Sequence, residues 1–374
     1  MLELVKYIKE HGLEKTLKDY KLKSRDYPNK VLIKYDQIES PMGERVVQEA
    51  RGIVLEKDTW KVMNMGFKKF FNNGEGHAAT IDWGSANILE KLDGSCISLY
   101  WDWNKEKWFA ATTGTAEGEG EVNNKMGTTF NDLFWETVNE KYNFNTDNLL
   151  KNWIYVFELT TPYNIVVKPH GESSATLLTM RNRETLDETT YNSLKHIGKI
   201  LGVPVVKSYD LNEGNVGKLL RTFEDMAWHE EGYVVVDGNF NRIKIKNPAY
   251  VSAHHLKGKM GNHHIMGIIK TNECDEFIAT FKEREEEIRE LESRYQNLLN
   301  NLSNCWDELL TLRPKNITPK EKKKFAMNVF DVVNKYDVKQ FSGLFFGLND
   351  GKVESIGEYM MNYDDKKLYH LLIN

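Results

Sequence analysis

The 374-residue chain predicts an α+β protein of largely antiparallel sheets followed by an all-α C-terminal domain. Three observations lead there. Short β-branched and aromatic runs bounded by turn residues fill the stretch from about Val31 to Lys246. Helical patterns interrupt them irregularly, without the strand–helix alternation that builds a parallel sheet. After about Pro248 the strand texture stops and an apolar heptad pattern takes over. The expected domains are residues 1–248 and 249–374.

Taken in order, Met1–Tyr20 reads as helix, with Leu2, Val5, Ile8, Leu13 and Leu17 on one side and a break at Gly12. Strands are expected at Val31–Tyr35, Gly52–Leu55, Ile97–Trp103, Trp153–Leu159, Ala175–Met180, Tyr233–Val236 and Arg242–Lys246. Helices are expected at Thr128–Tyr142, Glu188–Leu201 and Asn215–Trp228. Glu276–Leu312 reads as one long helix with a seam of Phe281, Ile288, Leu291, Tyr295, Leu298, Leu302, Cys305, Leu309 and Leu312, ended by Pro314. Thr318, Pro319 and Glu321 form a cap, a first-position proline and a capping-box acid for the next helix. Packing within one chain is favoured over a dimeric coiled coil for that seam, so a monomer is expected.

Composition narrows the class. A 40% hydrophobic, 28% charged chain with 17 Phe, 17 Tyr and 9 Trp has ample core and is not disordered. No apolar run approaches the roughly 18–20 residues of a membrane span. Glu3, Lys6, Lys9 and Glu10 break the pattern of a signal peptide. Cys96, Cys274 and Cys305 stand far apart, which disfavours a disulfide framework and fits a reducing cytoplasm. The net charge of −5 hides a local stripe. Asn239–Lys270 contains no acid and holds Arg242, Lys244, Lys246, Lys257, Lys259 and Lys270, a path for a phosphate backbone. The acids gather instead at Glu283–Glu292.

Four segments can do chemistry. Glu90-Lys91-Leu92-Asp93-Gly94-Ser95 places a lysine two residues before Asp-Gly, which taken singly reads as a charged hairpin turn. Phe157-Glu158-Leu159 sets an acid in an apolar strand, and Glu230-Glu231-Gly232 precedes another. In Arg242-Ile243-Lys244-Ile245-Lys246 the lysines alternate with isoleucines, so Lys244 and Lys246 share one face. A solvated edge strand would give the same alternation. No GxxxxGK[ST] loop is present, and Glu117-Gly118-Glu119-Gly120 reads as an acidic mobile loop. His254-His255 and His263-His264 lack the spacing of a zinc site.

In this order and spacing the segments resemble the covalent nucleotidyltransferases, the superfamily of DNA ligases, RNA ligases and capping enzymes. Lys91–Gly94 resembles motif I, Phe157-Glu158 motif III, Leu178–Arg181 motif IIIa, Glu231–Val234 motif IV and Lys244–Lys246 motif V. Glu49–Val54 and Lys69-Phe70-Phe71-Asn72 resemble elements that precede the nucleophile in RNA ligases. With Tyr250–Leu256 and the helical tail, the likeness is to the RNA ligase 1 family of T-even bacteriophages. It implies a nucleotidyltransferase (ATP-grasp-like) domain that joins RNA 5′-phosphate and 3′-hydroxyl ends at the expense of ATP.

The resemblance also implies roles. Lys91 is the nucleophile that carries AMP. Lys244 and Lys246 lower its proton affinity by like-charge repulsion and hold the α-phosphate. Glu158 and Glu231 serve Mg²⁺, with Mn²⁺ as an alternative, or the ribose, without a division between them. Asp93 orients Lys91 or a metal-bound water, Arg51 and Lys69 hold the triphosphate, and Phe71 packs near the nucleotide. One departure is visible: Thr112-Thr113-Gly114-Thr115 stands where a basic residue is expected. A DNA ligase or capping guanylyltransferase is the catalytic alternative, disfavoured because a helical tail replaces the usual OB-fold. A non-catalytic RNA-binding scaffold on the same fold is the other alternative. RNA repair with tRNA as substrate, recognised by the tail, is the implied role, set in the host cytoplasm if the protein is viral.

Overall fold

The computed structural model describes residues 1–123, 125–163, 168, 170–209, 216–255, 265–313 and 319–373. The chain divides into two compact units, Met1–His254 and His255–Asn374.

The first unit is built on three largely antiparallel sheets and a small ribbon. Leu22–Asp26 (β1), Lys30–Tyr35 (β2), Arg51–Glu56 (β3) and Val62–Asn64 (β4) pair in sequence order. Two short N-terminal helices, Glu3–His11 and Leu13–Asp19, cover it. Gly12 separates them at φ +84°, a conformation glycine adopts without a Cβ penalty, at the expected break. Glu49 accepts the Leu4 N–H at 2.9 Å, which ties the first turn to the segment entering β3.

A second sheet runs Ser208–Tyr209 (β13), Asn87–Glu90 (β6), Gly232–Val236 (β14), Arg242–Lys246 (β15) and Phe71–Asn72 (β5), in that spatial order. Only the β15–β5 pair is parallel among its described strands. The third runs Ser174–Asn182 (β12), Trp153–Thr160 (β11), Ser95–Asp102 (β7) and Lys107–Ala111 (β8). Glu121–Val122 (β9) and Lys125–Thr129 (β10) form a small ribbon. The predicted strands all appear, most extended by a residue or two. β1, β4, β5, β6 and β8 were not predicted, being short or carrying charged residues where apolar ones mark a strand.

The helix expected at Thr128–Tyr142 spans Phe130–Lys141 and is closed by a Thr129–Asp132 capping box. That expected at Glu188–Leu201 begins at Tyr191, because Glu188 is drawn into an ion-pair network. That at Asn215–Trp228 is a shorter helix, Val216–Thr222.

The loop at Glu117–Gly120 is pinned rather than mobile. Glu117 pairs with Lys30 at 3.0 Å and Lys105 at 2.6 Å, and Glu119 accepts from Tyr27 and Arg25. Lys30 is itself wholly buried, pairs with Asp102 at 2.6 Å and lies over the Phe109 ring. A charge so buried persists only when paired on several sides.

The second unit is helical. The long helix differs from expectation at its start: Cys274–Thr280 is separate, and Glu285–Thr311 follows a short 3-10 turn at Lys282–Arg284. Phe281 breaks the helix at φ −122° and ψ 69° and its ring packs on Phe277 at 4.7 Å, which leaves it outside the seam. Ile288, Leu291, Tyr295, Leu298, Leu302, Cys305 and Leu309 are buried as the heptads require, while Leu312 is exposed past the helix end. Burial within one chain matches the favoured intramolecular packing. Pro319 opens the next helix, Pro319–Lys335; Pro314 and Thr318 lie outside the described residues.

Candidate active site

A cavity of about 490 Å³ opens between the second and third sheets. Its lining explains why each motif has its residue types.

Lys91 follows β6 directly, its N–H donating to the Gly232 carbonyl at 2.9 Å. Gly94 then passes under β11: a Cβ there would meet the Leu159 carbonyl oxygen at 2.6 Å. The Asp-Gly pair is therefore a close-packing requirement rather than a hairpin turn. It seats Lys91 beside Glu158, both of which line the cavity. Gly232, at φ +125°, is likewise forced, since a Cβ would lie 2.3 Å from the Ile245 carbonyl.

Glu231 is buried and reaches Lys91 Nζ with Oε1 at 2.6 Å. The same oxygen lies 3.6 Å from Lys246 Nζ. On β15 Ile243 and Ile245 are buried while Arg242, Lys244 and Lys246 share the other face, as the alternation requires. Lys244 lines the cavity with its ammonium 5.3 Å from the Phe70 ring centre. Lys91 thus meets a carboxylate first, with a second cation on the same oxygen, rather than two bare lysines.

Burial pushes the Glu158 carboxyl up to about 8; Glu231 and Asp93 add to the shift while Lys91 and Arg51 oppose it. Burial also pushes the adjacent Cys96 thiol up to about 12, so it carries no thiolate for nucleophilic work at neutral pH.

Arg51 reaches the cavity because of a bulge. Ile33 pairs with Ile53 but Lys34 pairs with Arg51, leaving Gly52 unpaired at φ +73°. Without the extra residue Arg51 would share the face of buried Ile53; with it, the side chain turns to the cavity. A Cβ on Gly52 would stand 2.6 Å from Thr113 Cα, so the Arg-Gly order is fixed by local geometry.

Three expectations meet contacts that the sequence does not show. Phe71 is buried on β5 and lines the adjoining cavity, while Phe70 and Phe67 line this one. Asp93 does not reach for Lys91; its carboxylate accepts from the Tyr250 hydroxyl at 3.0 Å and the Lys168 N–H at 2.5 Å, and His170 contacts its carbonyl. The basic stripe is largely neutralised where described. Arg242 pairs with Glu188, Lys246 neighbours Glu231, and Lys270 is buried against Asp365 at 2.7 Å. Lys257, Lys259 and the side chains of the two histidine pairs lie outside the described residues.

Lys69 lies in an adjoining cavity of about 400 Å³, its ammonium over the Tyr35 and Phe71 rings at 5.4 and 5.6 Å. The walls between the cavities are Phe67, Phe70 and Arg242. Arg242 and Arg181 both bind Glu188, Arg242 to Oε1 at 2.9 Å, and Thr179 donates to Glu188 at 3.2 Å. Burial raises the Glu188 carboxyl, but the two arginines outweigh it and hold the group below its ordinary value. Sequence reading missed this triad, in which Arg242 and Glu188 lie 54 positions apart in the chain.

This is a nucleotidyltransferase fold whose cavity holds Lys91 and Glu158, with Glu231 paired to the lysine and Arg51, Arg242 and Lys244 in the lining. A model of the RNA ligase family, of the phage T4 type 1 kind, matches residues 49–250, over half of the chain. The chain belongs to the RNA ligase family, and with it goes the ATP-dependent ligase activity read from the motifs. It is 27% identical to an RNA ligase of Rhodothermus phage RM378, over 85% of this chain and 83% of that protein. It is 26% identical to a protein of Autographa californica nuclear polyhedrosis virus named as a bifunctional polynucleotide kinase/RNA ligase, of which it spans 42%. Among solved structures it is similar to an archaeal ATP-dependent RNA ligase, with 11% identity, a TM-score of 0.48, and 90% of this chain and 80% of that one covered.

Proposed function

We propose that the protein seals RNA 5′-phosphate and 3′-hydroxyl ends through AMP carried on Lys91. The observation that carries this reading is Lys91 in the cavity with Glu158 and Lys244, its ammonium paired to Glu231.

Three displacements follow. Lys91 Nζ, having given a proton to solvent and left the Glu231 pair, attacks the α-phosphorus of ATP; an N–P bond forms, the α–β bridging P–O bond breaks and pyrophosphate leaves. An oxygen of the RNA 5′-phosphate then attacks that phosphorus and releases the Lys91 amine. Finally the 3′-hydroxyl attacks the activated 5′-phosphorus, a phosphodiester forms and AMP leaves. Each step draws charge onto a phosphorane, which Lys244, Lys246 and Arg51 are placed to neutralise. Phe70 and Phe67 offer the base an aromatic wall.

Glu158 and Glu231 suit Mg²⁺ or Mn²⁺, which bind one or two carboxylates and complete their shell with phosphate oxygens and water. When bound, such an ion supplies electrophilic assistance at the phosphates. The helical unit, read as the RNA-recognition part of a monomer acting in tRNA repair, rests on the resemblance and on the seam buried within one chain.

Labelled ATP tests the proposal. Wild-type protein with divalent metal takes up AMP, and Lys91→Ala takes up none. Removing the tail spares AMP uptake while weakening choice of structured RNA; equal loss of both contradicts that division of labour.

A further inference from the structure

The Arg51 edge of the cavity carries a second cation that no motif contains. The turn Thr112–Thr115 forms this edge, with Thr112 and Thr113 in the cavity lining. It offers hydroxyls and no charge. Lys34, on β2, is the cross-strand partner of Arg51 beyond the Gly52 bulge. Its Nζ lies 3.9 Å from where a Cβ on Gly114 would stand. Lys34 is exposed, and no ion pair engages it among the described residues.

The turn beneath it is held firmly. Thr112 Oγ1 lies 2.8 Å from Thr115 Oγ1 and accepts the Gly114 and Thr115 N–H groups at 3.2 and 3.1 Å. Beyond it Ala116 donates to the Tyr27 hydroxyl and accepts from the Tyr100 hydroxyl, each at 2.9 Å. On the other side Gly52 packs against Thr113. The ammonium of Lys34 therefore overhangs a rigid lip, on the strand paired with that of Arg51.

We propose that Lys34 and Arg51 act as a paired clamp for a phosphate group at the Thr112–Gly114 lip, Lys34 contributing the cation that the turn lacks. Strands β2 and β3 fix their spacing. Arg51 gives a planar fork and Lys34 a mobile point charge, a combination suited to a phosphate that changes position between steps. The assignment rests on the ligase reading above. The phosphate belongs either to the ATP triphosphate or to the RNA 5′ end.

The full-length protein tests it through Lys34→Ala, Lys34→Arg and the double variant Lys34→Ala/Thr113→Lys, which moves the charge to the neighbouring lip position. Two reactions are followed. One is AMP uptake against ATP concentration; the other is AMP transfer from purified enzyme–AMP against the concentration of a 5′-phosphorylated RNA oligonucleotide. Lys34→Ala is expected to raise the half-saturating concentration on the order of 10-fold in one reaction, with a smaller change in maximal rate. Loss in the first assigns the clamp to the triphosphate, and loss in the second to the RNA end. Lys34→Arg and the double variant are expected to recover most of the loss, which a structural role would not allow. Unchanged behaviour in both reactions, or a loss that neither variant recovers, overturns the clamp. Wild-type protein that forms no enzyme–AMP removes the ligase reading and the clamp with it. Adduct formation with an unaffected Lys34→Ala removes the clamp alone.

Discussion

Lys91 Nζ and Glu231 Oε1 stand 2.6 Å apart, so the proposed nucleophile is held as an ion pair by a buried carboxylate. Lys246 shares that oxygen at 3.6 Å. An ammonium cannot attack phosphorus, and opening this pair is therefore part of the first chemical step. The pair also fixes where Lys91 points before substrate arrives. Glu231→Gln removes the charge while keeping the shape. It is expected to lower the rate of AMP uptake by about 10²-fold, within the range for losing a positioned charged group, as read with labelled ATP under single-turnover conditions.

Phe70 and Phe71 are neighbours in sequence with opposite duties. Phe71 is a buried core side chain, and Phe71→Ala is expected to cost about 3–5 kcal/mol of stability. Phe70 faces the cavity beneath the Lys244 ammonium. Phe70→Ala is expected to leave the urea midpoint nearly unchanged and to raise the half-saturating ATP concentration about 3- to 10-fold, the worth of one aromatic stack. Reversal of the two outcomes would reverse the assignment.

Gly52 carries the bulge that turns Arg51. Gly52→Ala must place a Cβ at φ +73° and 2.6 Å from Thr113 Cα. The strain is expected to cost about 1–3 kcal/mol, with weaker ATP binding because Arg51 and the Thr113 lip separate. A thermal melt and an ATP titration of AMP uptake measure the two effects on one preparation.

The buried Arg181–Glu188–Arg242 triad sets an acid limit. Glu188 titrates below its unfolded value of about 4.3. Between those two values the unfolded chain binds more protons, so stability is present above about pH 4.3 and is lost as pH falls. Glu188→Gln leaves two buried arginines uncompensated and is expected to destabilise by about 3–5 kcal/mol at pH 7. The gap to wild type narrows as pH falls from about 4.3 through the lower folded value, beneath which both proteins hold a neutral side chain there. Urea unfolding at several pH values measures it; a gap independent of pH would show that the ion pairs contribute nothing.

Much of the cavity was legible because its signals are local. Alternation on Arg242–Lys246 reported the shared face of its basic residues, and the heptad seam reported burial from Ile288 to Leu309. The misses have one physical source, which is geometry set by distant backbone. Whether Phe70 or Phe71 turns inward depends on how a two-residue strand pairs with β15. The Arg51 direction depends on a bulge, and the Gly94 requirement depends on a carbonyl of β11 that lies 65 positions along the chain from it. Asp93 stands two positions from Lys91, and its contacts with Tyr250 and the Lys168 N–H come from far along the chain. The Glu117–Gly120 loop looked mobile from its glycines, and is held by Lys30, Lys105, Arg25 and Tyr27 from other strands and turns.

The central claim is that AMP passes through Lys91. Intact-mass measurement of purified protein after incubation with ATP and Mg²⁺, followed by peptide mapping, tests it most directly. The account predicts a gain of one AMP per chain, located on Lys91 and absent from Lys91→Ala. A protein that gains no AMP, or a Lys91→Ala variant that still gains it, would contradict the account.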